Sequence, residues 1–195
     1  MKYSARYSQI IHRIRSKEFS PIYFLIGSDA FLQDFFIKEL ISSFLNSEGY
    51  RKQYSMDLDS TQSLLNDLYE NSFFVTKRIF VVREIHRLKT SQKDFLGYLK
   101  SPNPNNCLLL IHEGYNIKGK FLDSIKKSSI STNVSPPFEE KIHDWAKYIL
   151  KLKGFNISQN ELDAIIKTYG DSIASVINEV EKISLMQGDN NKINF

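Results

Sequence analysis

Residues 21–32 read Pro21-Ile22-Tyr23-Phe24-Leu25-Ile26-Gly27-Ser28-Asp29-Ala30-Phe31-Leu32, and they decide the fold class. Residues 22–26 form an unbroken apolar run of strand length, the pattern of a strand covered on both faces. Gly27 ends it. Ser28 and Asp29 are helix-capping types, and Phe31, Leu32, Phe35, Phe36, Leu40, Ile41 and Phe44 then recur at helical spacing, which predicts a helix to about Asn46. A doubly buried strand that passes at once into an amphipathic helix is the repeating unit of a parallel α/β domain.

The same alternation continues outward. Further strands are expected at residues 53–56, 79–82, 107–111 and 132–134. Between them, Asp59 or Ser60 starts a helix carrying Leu64, Leu65 and Leu68. Phe95, Leu96 and Leu99 mark another, ended by Ser101-Pro102-Asn103-Pro104, and Phe121, Leu122 and Ile125 mark one more. Residues 1–135 are therefore expected to be an α/β domain with a largely parallel five-stranded sheet.

At Ser135-Pro136-Pro137 the character changes, and residues 136–190 are expected to form a small three-helix domain. Phe138, Ile142, Trp145, Ala146 and Ile149 share one helical stripe, which Gly154 closes. Ser158 with Glu161 three residues on is a capping-box pattern, followed by Leu162, Ile165, Ile166 and Tyr169. Gly170 stops that helix. Asp171 is expected to cap the next, with Ile173, Val176, Ile177, Val180 and Ile183 facing inward.

Composition narrows the classes. The 195 residues are 42% hydrophobic, 13% aromatic and 25% charged, which is a folded-protein balance and excludes a disordered chain. The longest apolar runs are strand-length, too short to cross a bilayer. No hydrophobic signal core follows Met1-Lys2-Tyr3-Ser4-Ala5-Arg6, so a cytoplasmic protein without a membrane partner is expected. The single cysteine, Cys107, lies in an aliphatic run and reads as a buried thiol. The four histidines, His12, His86, His112 and His143, lack metal-ligand spacing, so no metal and no cofactor is expected. A net charge of +4 with interspersed signs permits a polyanionic partner without pointing to one. Lys118, Lys120, Lys126 and Lys127 form a local cluster that reads equally as a DNA contact or as a solvated helix face.

A parallel α/β domain followed by a small helical one raises the question of a nucleotide site of the AAA+ kind. A Walker A loop needs about eight residues, G-x-x-x-x-G-K-[ST], to wrap phosphates in backbone N–H groups, neutralise them and hold Mg²⁺. Here the turn is Gly27-Ser28-Asp29, with neither the lysine nor the second glycine. Asp29 also puts a carboxylate at the helix N-terminus, where a phosphate would otherwise be favoured. After the third strand, Val81-Val82-Arg83-Glu84 has arginine where a metal-holding aspartate is wanted. The expectation is an ATPase-like scaffold without ATPase chemistry.

Several marks then occur in order. Pro21-Ile22-Tyr23-Phe24-Leu25-Ile26-Gly27-Ser28-Asp29-Ala30-Phe31-Leu32 ends its strand in a Gly-x-Asp-x-Phe-Leu pattern, and Met56-Asp57-Leu58-Asp59 follows the second strand. Ser72-Phe73-Phe74-Val75-Thr76-Lys77-Arg78 leads into the third strand. Trp145, Lys153-Gly154, Gly170-Asp171 and Asn178-Glu179-Val180-Glu181-Lys182 follow. Together they resemble the delta subunit family of bacterial DNA polymerase III, from its first strand to its helical second domain. The resemblance implies an AAA+-like clamp-loader subunit without a working nucleotide site. Such a subunit opens the ring-shaped sliding clamp for placement on primed DNA during replication. It also implies partners: the sliding clamp (beta), the gamma/tau and delta prime loader subunits, and primed DNA within the assembly. The family's third, collar domain is not expected within these residues.

The resemblance also gives Ser72, Phe73 and Phe74 a role, since the family's S-L-F segment enters a hydrophobic pocket on the clamp. Phe73 stands where leucine is usual. From the residues alone two uses of the pair stand open. Both rings can plug the junction between helix and strand, or one can cover the core while its neighbour, about 100° away if helical, projects outward. Two other functional classes also stand: an active AAA+ ATPase with a degenerate loop, and a basic DNA-binding module acting through residues 118–127.

Overall fold

The computed structural model describes residues 2–45, 49–70 and 77–187. The chain divides into two compact units, Met1–Ser135 and Pro136–Phe195. In the first, the strands β1 (Ile22–Ile26), β2 (Tyr50–Ser55), β3 (Arg78–Arg83), β4 (Asn106–His112) and β5 (Ile130–Asn133) form one sheet in the order β2-β3-β4-β1-β5. Every pairing is parallel. Helices α1 (Lys2–Arg15), α2 (Ala30–Phe44), α3 (Thr61–Tyr69), α4 (Gln92–Lys100) and α5 (Lys120–Lys127) flank it, with a 3₁₀ turn at Ile85–Arg87.

Parallel connections put helices over both faces, which is why β1 and the interiors of β3 and β4 are apolar. Ile22, Phe24 and Ile26 face one way, into a core completed by Leu64, Leu68, Phe95, Tyr98, Leu122 and Ile125 of α3, α4 and α5. Tyr23 faces the other way, edge-on to Phe36 of α2 at 5.5 Å between ring centres. The Cys107 thiol of β4 is fully buried, and burial pushes its pKa up.

Helix α2 begins and ends close to its expected bounds. The Asp29 carboxylate accepts the Leu32 N–H at 2.9 Å, and the helix stops at Phe44 rather than Asn46. Its buried face includes Gln33 and Ile37 as well as the expected Leu32, Phe35, Phe36, Leu40 and Phe44, while Phe31 and Ile41 are half-buried. In α3 the cap is Ser60, whose side chain accepts the Ser63 N–H at 3.1 Å. Helix α1 was not expected, yet Tyr7, Ile10, Ile11 and Ile14 have helical spacing and are buried. The Tyr7 hydroxyl donates to the Leu32 carbonyl at 2.9 Å, and Arg15 makes a forked ion pair with Glu39 at 2.5 and 2.7 Å. These bonds hold α1 on α2.

The second unit is a three-helix bundle of α6 (Glu139–Leu152), α7 (Gln159–Tyr169) and α8 (Ile173–Gln187). Ile142, Trp145, Ala146, Ile149, Leu162, Ile165, Ile173, Val176, Ile177 and Val180 are buried in it. Two expectations change here. Phe138 is 86% exposed, because it is the extended N-cap residue of α6 and so lies before the helical stripe begins. The cap of α8 is Ser172 rather than Asp171. Its hydroxyl accepts the Ser175 N–H at 3.1 Å, as the residue directly ahead of the first helical one must. At the outer margin of the stripes Ile166 and Ile183 are half-buried and Tyr169 is 43% exposed.

The capping box on α7 forms in both directions: Ser158 Oγ accepts the Glu161 N–H at 3.3 Å, and Glu161 accepts the Ser158 N–H at 2.8 Å. Ser158→Ala removes the first of these and should cost about 1 kcal/mol. Thermal unfolding of the variant against the parent chain checks it. Among the described residues no helix is long and apolar enough to cross a membrane.

Candidate functional site

Nucleotides in parallel α/β domains lie at the carboxyl ends of the strands, in this chain the ends of β1, β3 and β4. Gly27 makes the turn out of β1 at φ +130°, and a Cβ there would stand 2.2 Å from the Ser135 nitrogen. The Gly27 N–H donates to His112 O and the Asp29 N–H to Val134 O, both at 2.9 Å, so two amides of the turn bond within the protein. Burial raises the Asp29 carboxyl above its usual pKa, and hydrogen bonds from the Leu32 and Phe31 amides oppose it.

Behind the turn, Gln33 is 1% exposed and donates to Gly27 O at 2.8 Å. Its oxygen accepts from Arg83 at 2.7 Å, and the same guanidinium reaches Asp34 at 3.2 Å and Glu113 at 3.9 Å. Arg83, which stands where an ATPase needs a carboxylate, thus ties α2 to the ends of β3 and β4. Glu113 is raised in pKa, first by burial and then by the neighbouring Glu84. The rim of this edge carries Asp29, Asp34, Glu84 and Glu113, an acidic surround for a polyphosphate.

Two histidines that look scattered in the sequence meet here. The His86 and His112 rings lie 4.9 Å apart, and His86 Nε2 is 3.4 Å from Glu84. Burial, the largest cause, lowers the pKa of His86. Among the described residues no group of three His, Cys, Asp or Glu side chains could hold a metal ion.

The expected clamp contact, Ser72, Phe73 and Phe74, falls outside the described residues. What the structure gives is the frame on either side. On one side α3 ends at Tyr69 and is capped by Glu70, whose N–H donates to Asn66 O. On the other, Lys77 places its ammonium over the Phe44 and Phe19 rings at 4.9 and 5.6 Å, and β3 begins with Arg78.

Arg78 is 4% exposed. Its Nε donates to Asn106 Oδ1 at 2.9 Å and its Nη2 to the Glu70 carbonyl, with the guanidinium carbon 5.5 Å from the Phe80 ring centre. Asn106 in turn donates to Leu68 O at 2.9 Å and to the Tyr98 hydroxyl at 3.0 Å. Sequence reasoning passed over this network. Its signal is a polar residue heading each of two apolar runs, which pair in register as Arg78 and Asn106. Beside it a groove of about 790 Å³ runs between α3 and α4, bordered by Tyr69, Glu70, Asp94 and Gly97.

The remaining marks have local roles. Lys118, Lys120, Lys126 and Lys127 are all exposed; on α5, Lys120 and Lys127 stand opposite the buried Leu122 and Ile125, and Lys126 lies at the margin of that buried face. In the bundle, Lys153 pairs with Glu181 and Lys182 with Glu179, while Trp145 and Val180 are buried. A Cβ at Gly170 would stand 2.2 Å from Ile166 O, so that turn requires glycine.

Neither a family model nor a curated protein sequence matches this chain. Solved structures do. The Bacillus subtilis DNA clamp loader delta protein superposes with a TM-score of 0.77 at 15% identity, covering 96% of this chain and 59% of that one. A P216G mutant of Thermotoga maritima RuvB superposes at 0.55, with 13% identity over 99% of this chain and 66% of that one. The Thermotoga maritima RuvB Holliday junction branch migration motor superposes at 0.52 with 13% identity, over 98% and 64%. This chain therefore spans 59% of the length of the clamp loader delta protein. At these identities the likeness is one of fold: a five-stranded parallel α/β domain followed by a three-helix bundle, as in the clamp loader delta protein and RuvB structures.

Proposed function

We propose that this chain is a clamp-loader subunit of the delta kind, which binds the sliding clamp of a bacterial replicative polymerase and favours its open form for loading onto primed DNA. The observation that carries this reading is the superposition on a DNA clamp loader delta protein over nearly the whole chain, together with the ordered sequence marks from Pro21 to Lys182. Ser72, Phe73 and Phe74 are the clamp-contacting residues in this proposal. Other loader subunits, gamma/tau and delta prime, supply the ATP-dependent gating.

The chain itself performs no catalysis in this reading. The short turn at Gly27, the Asp29 carboxylate at the start of α2 and the Arg83 bridge to Gln33, Asp34 and Glu113 support it. Its action is mechanical. A subunit can shift a ring between closed and open forms only by its difference in affinity for the two. An apolar wedge that fits the open form better supplies that difference without chemistry.

Two measurements test the proposal. Titrating the chain with the sliding clamp of the same organism should give saturable binding, and absence of binding by a folded chain sinks it. Titrating with Mg²⁺-ATP should give neither binding nor hydrolysis. ATP turnover that disappears on Asp29→Ala or Glu84→Ala would establish the ATPase reading instead.

A further inference from the structure

We propose that the cavity at the N-terminus of α5, between His112 at the end of β4 and Lys118, binds the phosphate of a small phosphomonoester. The site goes beyond the clamp reading and uses none of its residues. The cavity holds about 370 Å³, within the roughly 300–1,000 Å³ of small-molecule sites. Its walls join parts distant in sequence: His86 of the 3₁₀ turn, Gln92 of α4, His112 of β4, and Asn116, Lys118 and Phe121 on the way into α5. No carboxylate is among the described residues that line it. Glu84 meets His86 Nε2 at 3.4 Å without lining the cavity.

Two independent observations call for an anion there. The first is the start of α5. Its N-cap is Gly119, which brings no side-chain acceptor, and the N–H groups of Lys120, Phe121 and Leu122 have no acceptor among the described residues. Phe121 and Leu122 border the cavity. Uncapped amides and the helix dipole favour negative charge at that end, and the exposed Lys118 beside them adds a full positive charge.

The second is His112. The residue is 6% exposed, and its Nδ1 is buried with no hydrogen-bond partner among the described residues. Nε2 lies 3.2 Å from Asn116 O. A carbonyl only accepts, so Nε2 carries the hydrogen and Nδ1 is left over. Gly114 folds against the same ring, where a Cβ would stand 2.7 Å from Cε1 and Nε2, and the ring is held in this orientation. A buried polar atom left unpaired costs free energy that a ligand atom recovers. A phosphomonoester suits Nδ1 in either protonation state: its P–OH donates to the neutral ring, and its dianion accepts from the imidazolium. The backbone diester of a nucleic acid has no such proton to give and carries chain on both sides of its phosphate, whereas a terminal phosphate enters a cavity end-on. The half-buried Phe121 offers an apolar wall for the rest of the molecule.

The test titrates the full chain with phenyl phosphate and with inorganic phosphate, reading the histidine rings and the α5 amides by NMR, with dimethyl phosphate and duplex DNA as comparators. Saturable shifts of the His112 ring and of the Lys120, Phe121 and Leu122 amides are expected at millimolar phenyl phosphate, reversed by inorganic phosphate and not produced by dimethyl phosphate. Lys118→Glu, at an exposed position, should weaken binding by about tenfold or more. His112→Gln should do the same, and if it fails to fold, Lys118→Glu decides alone. Absence of saturable shifts in the folded parent, parent affinity in Lys118→Glu, or an equal response to dimethyl phosphate overturns the proposal. Duplex DNA that displaces phenyl phosphate from His112 assigns the site to nucleic acid and overturns it as well.

Discussion

Replacing Phe73 and Phe74 together with alanine should weaken binding to the sliding clamp by on the order of 100-fold. Full burial of one aromatic side chain in a partner's pocket stabilises a complex by roughly 1.5–3 kcal/mol, and tenfold in affinity is about 1.4 kcal/mol. One inserted ring therefore supplies between about ten- and 100-fold, and such anchors dominate interfaces while their neighbours contribute little. The single variants Phe73→Ala and Phe74→Ala divide the effect. If one ring plugs the junction and the other meets the clamp, one variant loses thermal stability and its counterpart loses affinity. Parent affinity in a folded double variant would contradict the assignment.

The largest effect on stability should come from Gly27→Ala. At φ +130° an L side chain is strained, and the added Cβ would meet Ser135 N at 2.2 Å and Val134 C at 2.4 Å. Both are backbone atoms at the end of the β5 strand, so neither can swing away. A cost of about 3 kcal/mol or more is expected, a large share of the roughly 5–15 kcal/mol of a folded domain. The unfolding midpoint should fall by about 10 °C, at roughly 2–4 °C per kcal/mol for a chain of this size. Gly97→Ala should move the other way. Gly97 lies inside α4 with nothing within 4 Å of an added Cβ, so alanine should stabilise by about 0.5–1 kcal/mol through helix propensity. Scanning calorimetry of the pair checks both signs. A Gly27→Ala chain as stable as the parent would contradict the turn geometry at the end of β1.

The fold class was legible because parallel strands buried on both faces must be written as apolar runs. Residues 22–26 coincide with β1 for that reason. Strands β3 and β4 extend one residue further at each end than their apolar runs, to Arg78, Arg83, Asn106 and His112, because backbone pairing continues where side-chain polarity changes. Helix α1 is plain in hindsight, since Tyr7, Ile10, Ile11 and Ile14 keep helical spacing.

For the site, what was legible is local in sequence: the missing lysine and second glycine after Gly27, and the carboxylate of Asp29 at a helix start. What was hidden joins distant residues. Arg83 meets Gln33 and Asp34 of α2, and Arg78 meets Asn106, only because the sheet order brings β3 beside β4 and under that helix. Periodicity carries no information about such pairs. A charged residue at the head of an apolar run reads as the end of a strand, when here it is a buried tie between strand and helix.

The proposed action, opening a clamp by binding alone, has a kinetic signature. It is tested most directly by the rate at which the sliding clamp leaves closed circular DNA, measured without nucleotide as the chain is added. Clamp loss should accelerate with chain concentration, saturate, and return to the basal rate with Phe73→Ala/Phe74→Ala. Clamp loss that stays at the basal rate with saturating, folded parent chain would contradict it.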